Sequence, residues 1–383
     1  MSNYLSPSAL SAALDLRDLT DPTQGPHAMQ TLLDAVLHRL SELWGVPADT
    51  RRDPALVAVA DNYDNLGYES SAITRDQRYS RYVGPTVMLR SHTSAGVPPV
   101  LRSMAALAED DRLLVLPGLV YRRDAIDRIH VGAPHQVDLW RIRSAPLRVV
   151  DLMEMVASIV ETVLPGAAWR VVSAQHPYTV HGCQLDVEIG GIWLELAECG
   201  LVAPNVLTRA GLDPARWSGL ALGMGLDRAL MLRKNLPDIR LLRASDLRIA
   251  SQLLDLSPWR PVSGLPPVRR DLSLVVDAPI EAETLGDRVR AALGNRSDDL
   301  ESVILLQVTP YEQLPPQARD RLGLGVDQVN ALVRIVLRPL DRTLTDDDAN
   351  RLRDDVYRAL HQGPVPELIN AMASVDAEKQ GLV

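Results

Sequence analysis

A glycine-rich run at residues 219–232 carries the strongest chemical signal: Gly-Leu-Ala-Leu-Gly-Met-Gly-Leu-Asp-Arg-Ala-Leu-Met-Leu. Small residues alternate with apolar ones up to Gly225, which is typical of a strand whose backbone lies close to a ligand. A helical pattern then begins, with Arg228 in its first turn. The permanently charged, forked guanidinium of an arginine at this place suits a polyphosphate. The run equally fits a buried strand, a glycine turn and a solvated arginine.

A second arginine-rich segment lies between two predicted strands. Residues 121–136 read Tyr-Arg-Arg-Asp-Ala-Ile-Asp-Arg-Ile-His-Val-Gly-Ala-Pro-His-Gln. Two antiparallel strands joined by such a loop form a clamp for a nucleotide α-phosphate, where guanidinium groups stabilise developing charge. Together with Arg228, and with Glu195 and Glu198 as candidate Mg²⁺ ligands, this loop indicates an ATP site.

Helical and strand patterns surround these segments. Apolar spacing predicts helical regions over 6–19, 28–44, 148–163 and 225–254. Strands are predicted over 56–60, 112–121 and 135–142, and over 187–195 with Gly190-Gly191 as a break. Farther on, strands at 272–276, 302–308, 329–337 and 367–374 combine with helices at 281–293 and 345–361, in the order of a ferredoxin-like split βαβ fold. We predict a first domain over 1–255, a proline-rich linker over 256–267, the ferredoxin-like domain over 268–375 and a tail over 376–383.

Length and composition agree with a globular protein of about two domains, since the chain has 383 residues. A net charge of −9 argues against a general nucleic-acid coat. The two cysteines, Cys183 and Cys199, form neither a disulfide framework nor a CxxC pair, which favours a reducing compartment. No apolar stretch approaches membrane-spanning length, so we expect a cytoplasmic protein without membrane contact.

Several segments, in order, resemble phenylalanyl-tRNA synthetases, a class II family. Residues 121–136 resemble the family's motif 2, residues 218–228 its motif 3, and residues 194–206 the strand between them. Ser91-His92-Thr93-Ser94 is similar to its His-Thr-Ser segment, and 269–274 and 340–345 to its ferredoxin-fold anticodon-binding domain. The resemblance covers residues 85–361 and follows the single-chain organellar layout. It implies an α+β fold, with an antiparallel-sheet catalytic domain of the class II type before the ferredoxin-like domain.

The resemblance also implies roles. Arg122 would bind the α-phosphate and Arg228 the γ-phosphate of a bent ATP, Glu195 would help to hold Mg²⁺, and Asp124 would contribute to binding ATP or the amino acid. His92, Ser94 and Gln136 would receive the amino and carboxylate groups of the amino acid, and Ala221 would line the floor of its side-chain pocket. The implied reaction is ATP-dependent activation of phenylalanine or a related aromatic amino acid, followed by transfer to tRNA. It needs no side-chain nucleophile, because the substrate carboxylate attacks ATP.

The chain departs from the family around the substrate ring. Relatives have Phe-Pro-Phe-Thr-Glu-Pro-Ser where this chain has His-Pro-Tyr-Thr-Val-His-Gly at 176–182. A polar edge formed by His176 and Tyr178 would hydrogen-bond a substituted ring and penalise plain phenylalanine. The alternative is that both groups point elsewhere and the pocket is unchanged. In addition, Pro134 replaces a phenylalanine that stacks on adenine, and Glu198 replaces a small residue.

Three functions remain open at this point. The leading one is an aminoacyl-tRNA synthetase; the others are an amino-acid-adenylating ligase with another acceptor, and a non-catalytic synthetase-derived module that binds tRNA or a partner. From Leu265 onward the chain has 14 Lys and Arg against 20 Asp and Glu, a net charge of −6 that opposes binding to a tRNA backbone. Arg269, Arg270, Arg288 and Arg342 are the candidates for a local basic patch. The oligomeric state is not indicated.

The chain contains no phenylalanine, although it has nine tyrosines. Leu220 and Leu222 stand where relatives carry phenylalanine. One hypothesis is that a protein without phenylalanine can be translated when charged phenylalanine tRNA is scarce. Sequence drift or deliberate engineering would leave the same composition.

Overall fold

A computed structural model describes residues 4–77, 79–105, 111–122, 127–262, 265–340 and 342–363. Within them the chain forms two compact units. The first contains the described residues up to Arg122 and from Ala133 to Arg260, and the second those of 127–132 and from Pro261 onward. The domain and linker boundaries named above stay predictions.

The first unit is built on a mixed but mainly antiparallel sheet. Its strands are β1 Ala48–Thr50, β2 Leu56–Ala58, β3 Val87–Leu89, β4 Asp111–Leu119, β5 His135–Arg143, β6 Trp169–Ser173, β7 Thr179–Ile189, β8 Ile192–Val202 and β9 Ser218–Gly225. Seven of them form one sheet in the order β1-β4-β5-β9-β8-β7-β6, while β2 pairs with β3. Within the larger sheet, β1 and β4 are parallel and the other neighbours antiparallel.

Helices pack on both faces of this sheet. They are α1 Pro7–Leu14, α2 Ala28–Trp44, α3 Val59–Asn62, α4 Val97–Met104, α5 Val149–Val163, α6 Pro204–Arg209, α7 Leu226–Lys234 and α8 Leu247–Ala250. In α2, a capping box formed by His27 and Gln30 begins the helix and left-handed Gly45 ends it. The buried stripe of α2 faces α5, which packs against β8. The opposite face of β5, β9 and β8 carries the site, and α4 and α6 pack on part of it around Trp140 and Ala221. Among the described residues, no helix combines the length and the apolar character needed to cross a membrane.

Three local predictions for the first unit are wrong. The first helix ends at Leu14 rather than residue 19, and the amides of Asp18 and Leu19 donate to the side chains of Gln24 and His135 instead of to helical carbonyls. Residues 187–195 are not one broken strand: Gly190 and Gly191, both at positive φ, form the two-residue turn of the β7–β8 hairpin. The helical region 225–254 stops at Lys234, where Asn235 adopts a left-handed conformation, and continues only as short turns and α8.

The second unit has the predicted strand-helix-strand-strand-helix order. Its elements are β10 Val268–Asp277, α9 Ala282–Leu293, β11 Leu300–Pro310, α10 Pro316–Leu322, β12 Gln328–Leu337 and α11 Asp346–Leu360. The strands form an antiparallel sheet in the order β10-β12-β11, and α9 and α11 pack together over one core. Only α10 was not predicted. The expected strand at 367–374 lies outside the described residues. The two units together confirm the α+β fold class.

Candidate active site

Three neighbouring strands form the floor of the site. Asp138 of β5 pairs with Gly223 of β9, which pairs in turn with Glu198 of β8. Directly opposite residues in a sheet point to the same face, so two carboxylates flank a glycine. A Cβ atom on Gly223 would lie 3.2 Å from the Nε2 atom of Gln136. A side chain at this position would crowd Gln136, so the glycine leaves the surface of the sheet open there. Ala221, the predicted pocket floor, lies on the same face one row away.

Asp138 is the most buried charge at this floor and was missed by sequence reasoning. Its carboxylate accepts hydrogen bonds from the Thr93 hydroxyl at 2.6 Å, the Ser94 hydroxyl at 2.7 Å and the Trp140 indole at 2.9 Å. Burial raises its pKa. Among the described residues, no basic side chain lies within ion-pair distance of it. Ser94, for which a contact with substrate stays a prediction, donates its hydroxyl to Asp138.

An aromatic cluster stands beside the floor. The rings of Tyr68 and His92 are stacked, with centroids 5.7 Å apart, and Tyr178 lies between Trp140 and His176, 5.8 Å from each. Tyr68 and Tyr178 are 6.4 Å apart, which joins the two stacks. The structure thus brings together the predicted His92, His176 and Tyr178. It adds Tyr68 and Trp140, which no motif had marked.

Three buried polar atoms at the site have no hydrogen-bond partner among the described residues: Nδ1 of His92, Oε1 of Gln136 and Nε2 of His176, the last of which lies within ion-pair distance of Glu198. Burial and the charge of Arg122 lower the pKa of His92 to about 3, so its ring is neutral near pH 7. An unpaired buried polar atom costs about 1–3 kcal/mol. The atoms of His92 and Gln136 are therefore available to a ligand, and the role of these two residues in binding the amino acid stays a prediction.

The two predicted phosphate anchors act on one carboxylate. Arg122 follows β4, and Arg228 lies in the first turn of α7, where its Nη1 atom donates to the backbone oxygen of Glu195 at 3.2 Å. Both guanidinium groups lower the pKa of the Glu195 carboxyl, against the larger effect of burial. Their charges therefore converge at the same end of the site. The predicted Asp124 lies outside the described residues.

Glu195 and Glu198 point to the same face because of a bulge. Glu195 pairs with Asp186 and Ala197 with Leu185, so Leu196 is an extra residue in β8. Burial, followed by the neighbouring Glu198, raises the pKa of Glu195. A cation near Glu195 would relieve both effects. The described residues contain no group of three metal-ligating side chains. Mg²⁺ commonly binds through one or two carboxylates together with substrate phosphates, so the residues present are compatible with it.

The side chain of His176 contacts the carboxylate of Glu198. Its Nε2 atom lies 3.3 Å from Oε1 of Glu198, while its Nδ1 atom lies 3.3 Å from the hydroxyl of Thr179. This contact with His176 holds the pKa of Glu198 below its ordinary value. Glu198 is therefore a stable anion at the edge of the aromatic cluster, distinct in surroundings from Glu195.

Comparisons with known proteins identify the family of this chain. The sequence profile described as "tRNA synthetases class II core domain (F)" matches residues 27–253. The phenylalanine–tRNA ligase alpha subunit of Prochlorococcus marinus strain MIT 9313 is 33% identical over 240 residues, which are 61% of this chain and 69% of that protein. The alpha subunit from Nostoc punctiforme is 31% identical over 221 residues, 57% of this chain and 66% of its own length.

Among solved structures, the pyrrolysyl-tRNA synthetase of Desulfitobacterium hafniense has a TM-score of 0.46 at 17% identity, over 61% of this chain and 78% of that one. The family profile covers more than half of the chain, and the sheet face described above lies within its bounds. The chain therefore belongs to the class II tRNA synthetases, among the relatives of the phenylalanine–tRNA ligase alpha subunits.

Proposed function

We propose that this protein activates an aromatic amino acid with ATP, forming an aminoacyl-adenylate, and transfers the aminoacyl group to tRNA. One observation carries the proposal: the sheet face that holds the buried carboxylate of Asp138, which has no basic partner among the described residues, also holds Glu195, on whose carboxyl the charges of Arg122 and Arg228 act. An amino acid brings an ammonium group and ATP brings a polyphosphate. The site therefore complements both substrates at once.

In the proposed reaction, Asp138 pairs with the α-ammonium group, which also donates a hydrogen bond to Oε1 of Gln136, an atom without a partner among the described residues. The substrate carboxylate oxygen attacks the α-phosphorus of ATP. A new phosphorus–oxygen bond forms, the bond to the bridging oxygen breaks, and pyrophosphate leaves with the electron pair. Arg122 and Arg228 stabilise the charge that builds on the phosphates, while the floor at Gly223 lets the reactants approach.

Class II synthetases in general use ATP and a divalent metal. Here Glu195 is the residue we assign to Mg²⁺, since it lies on the site face beside the negative charge of Glu198 and both arginines assigned to the phosphates act on its carboxyl. The predicted second ligand, Glu198, is engaged by His176 and is not needed for this assignment. When bound, the ion would neutralise phosphate charge.

A second candidate function differs only in the acceptor. In the second unit, Arg270 pairs with Asp346 at 3.0 Å and Arg342 with Asp299 at 2.5 Å. These are two of the four arginines expected to form a basic patch. Arginines already paired with carboxylates contribute less to phosphate binding. This favours weak tRNA binding and keeps an adenylating ligase with another acceptor as the alternative.

Two assays test these functions in sequence. ATP–pyrophosphate exchange with a panel of aromatic amino acids should show exchange for at least one member; no exchange with any of them would overturn the adenylation proposal. Charging of total tRNA with the activated amino acid then separates the acceptors. Stable aminoacyl-tRNA supports the synthetase, and exchange without charging supports the alternative ligase.

A further inference from the structure

Glu198 occupies a position that adenylation does not require. The cross-strand row Asp138–Gly223–Glu198 places the two carboxyl-bearing backbones on either side of a glycine. With strands about 4.8 Å apart, their Cα atoms are separated by roughly 10 Å. Asp138 is buried and bonded to three donors, whereas the Glu198 side chain is 44% exposed. The α-ammonium group requires only one of these carboxylates.

The surroundings of Glu198 are aromatic and polar. His176 lies against its Oε1 atom and stacks on Tyr178. After burial itself, the charge of Glu198 is among the causes that raise the pKa of Tyr68 and of Tyr178, so both phenol groups lie near the carboxylate. In the part of the chain that the structure describes, no donor is bonded to the second oxygen, Oε2. An anionic acceptor with an oxygen that no described donor bonds therefore lies beside the aromatic cluster.

A plain phenyl ring is a poor occupant of such a pocket. It would displace water from Glu198 without offering a hydrogen bond in return, and a polar group desolvated without compensation costs several kcal/mol in apolar surroundings. A ring that carries a hydroxyl or an amine donates to the free oxygen instead. Sites built to bond a substrate group reject analogues that lack it much more strongly than apolar pockets discriminate by size.

From this geometry we propose that Glu198, oriented by His176, makes the site selective for aromatic amino acids that carry a hydrogen-bond donor on the ring, in preference to phenylalanine. The inference rests on the proposed adenylation function and specifies its substrate class. It assigns Glu198 as the specificity-determining residue and His176 as the residue that positions it.

The experiment measures kcat/KM for amino-acid-dependent pyrophosphate exchange with phenylalanine, meta-tyrosine, para-tyrosine and 3-aminophenylalanine. For the native protein we expect at least one donor-bearing ring to exceed phenylalanine by about 100-fold. Glu198→Ala should reduce that ratio to less than about 10-fold. The change should come from a lower kcat/KM for the donor-bearing substrate rather than from a higher one for phenylalanine. Glu198→Gln keeps the shape and one acceptor oxygen, so its ratio should lie between the two.

Glu188→Ala provides the matched control, since Glu188 is an exposed glutamate of β7 on the same sheet face and away from the aromatic cluster. Its ratio should equal that of the native protein. A native preference for phenylalanine, or a ratio that both Glu198 variants leave unchanged, would overturn the inference while leaving adenylation intact. Absence of exchange with every amino acid in the panel would overturn the proposed function, and this inference with it.

Discussion

The carboxylate of Asp227 accepts a hydrogen bond from the backbone amide of His135, and its Oδ2 atom lies 3.1 Å from Nδ1 of the same residue. Arg243 completes the cluster, with Nη1 3.1 Å from Oδ1 of Asp227. The Asp227 side chain is 2% exposed and that of His135 is fully buried. Asp227 directly precedes Arg228. The cluster therefore joins the first turn of α7 to the first residue of β5 and fixes a phosphate anchor relative to the sheet floor.

Replacing Asp227 with asparagine should destabilise the fold. Burial alone would raise the pKa of Asp227, but His135 and Arg243 lower it to about 2, so the native group is ionised near pH 7. Breaking a buried pair on one side leaves Arg243 without its counter-charge and costs about 3 kcal/mol. Urea denaturation at pH 7 measures this as a lower midpoint. Asp271→Asn is the control, because Asp271 and its partner Arg334 are both well exposed and should contribute less than about 1 kcal/mol. Equal losses in the two variants would contradict this role for the cluster.

Sequence reasoning marked candidate residues where they lie in continuous motifs. Arg228 was predicted as a phosphate anchor from its place in the first turn of a helix and Arg122 through the family resemblance; both lower the pKa of Glu195, and their roles stay predictions. Such residues can be recognised in the sequence because the residues that identify their role are their neighbours along the chain. The strands β5 and β9 could also be predicted from the sequence, since their apolar patterns place both to within a residue or two of their observed ends.

Other parts of the site depend on contacts between distant segments. Asp138 sits inside an apolar strand pattern, and its partner Thr93 precedes it by 45 residues. Tyr68 lies in a polar segment with no periodicity. A regular strand would place Glu195 and Glu198 on opposite faces, since side chains alternate. Only the bulge at Leu196 brings them to one face, and a bulge is visible in the pairing register and not in the composition.

Asp138→Asn should selectively weaken amino-acid binding. An amide cannot supply the negative charge that we assign to the α-ammonium group, and its NH₂ would face one of the donors that now bond the carboxylate. We expect kcat/KM for the amino acid to fall by about 100-fold, within the range for losing one partner of a buried charge pair. The KM for ATP should change little. Pyrophosphate exchange measured at varied amino-acid and ATP concentrations separates the effect on the amino acid from the effect on ATP.

The control for Asp138 is Asp111→Asn at the far end of β4, where the carboxylate pairs with Arg141. Its kinetic constants should match those of the native protein. A rise in the KM for ATP as large as that for the amino acid would contradict the assignment of Asp138 to the amino group.

Arg228→Lys should impair ATP use although the charge is retained. Lysine cannot reproduce the planar fork that binds two phosphate oxygens, and its ammonium would not keep the bond to the Glu195 backbone in the same geometry. We expect kcat/KM for ATP to fall by about 100-fold, the size associated with losing one preorganised charge-stabilising group. Arg233→Lys, in the last turn of the same helix, tests the effect of the substitution itself and should be neutral. Equal values of kcat/KM for ATP in the two variants would contradict the assignment of Arg228 to the phosphate site.

His27 should make the fold sensitive to mild acid. Its Nδ1 atom accepts from the Met29 amide at 3.1 Å, and its Nε2 atom lies 3.1 Å from the Leu242 carbonyl, an arrangement that requires the neutral ring. Burial lowers its pKa to about 4 from an ordinary value of 6.5. Because the folded-state pKa is the lower one, the neutral ring's contribution to stability is complete above pH 6.5 and is lost as the pH falls towards 4.

At pH 5 this linkage amounts to about 2 kcal/mol of stability lost relative to pH 7.5. His27→Asn keeps a side chain that can cap α2 but cannot titrate in this range. The free energy of unfolding, measured in urea at both pH values, should therefore fall less in the variant than in the native protein. His92 also has a depressed pKa and contributes to the fall in both proteins, so the difference between the two isolates His27. Parallel pH profiles would show that His27 becomes protonated without cost to the fold and would contradict its neutral, doubly bonded state.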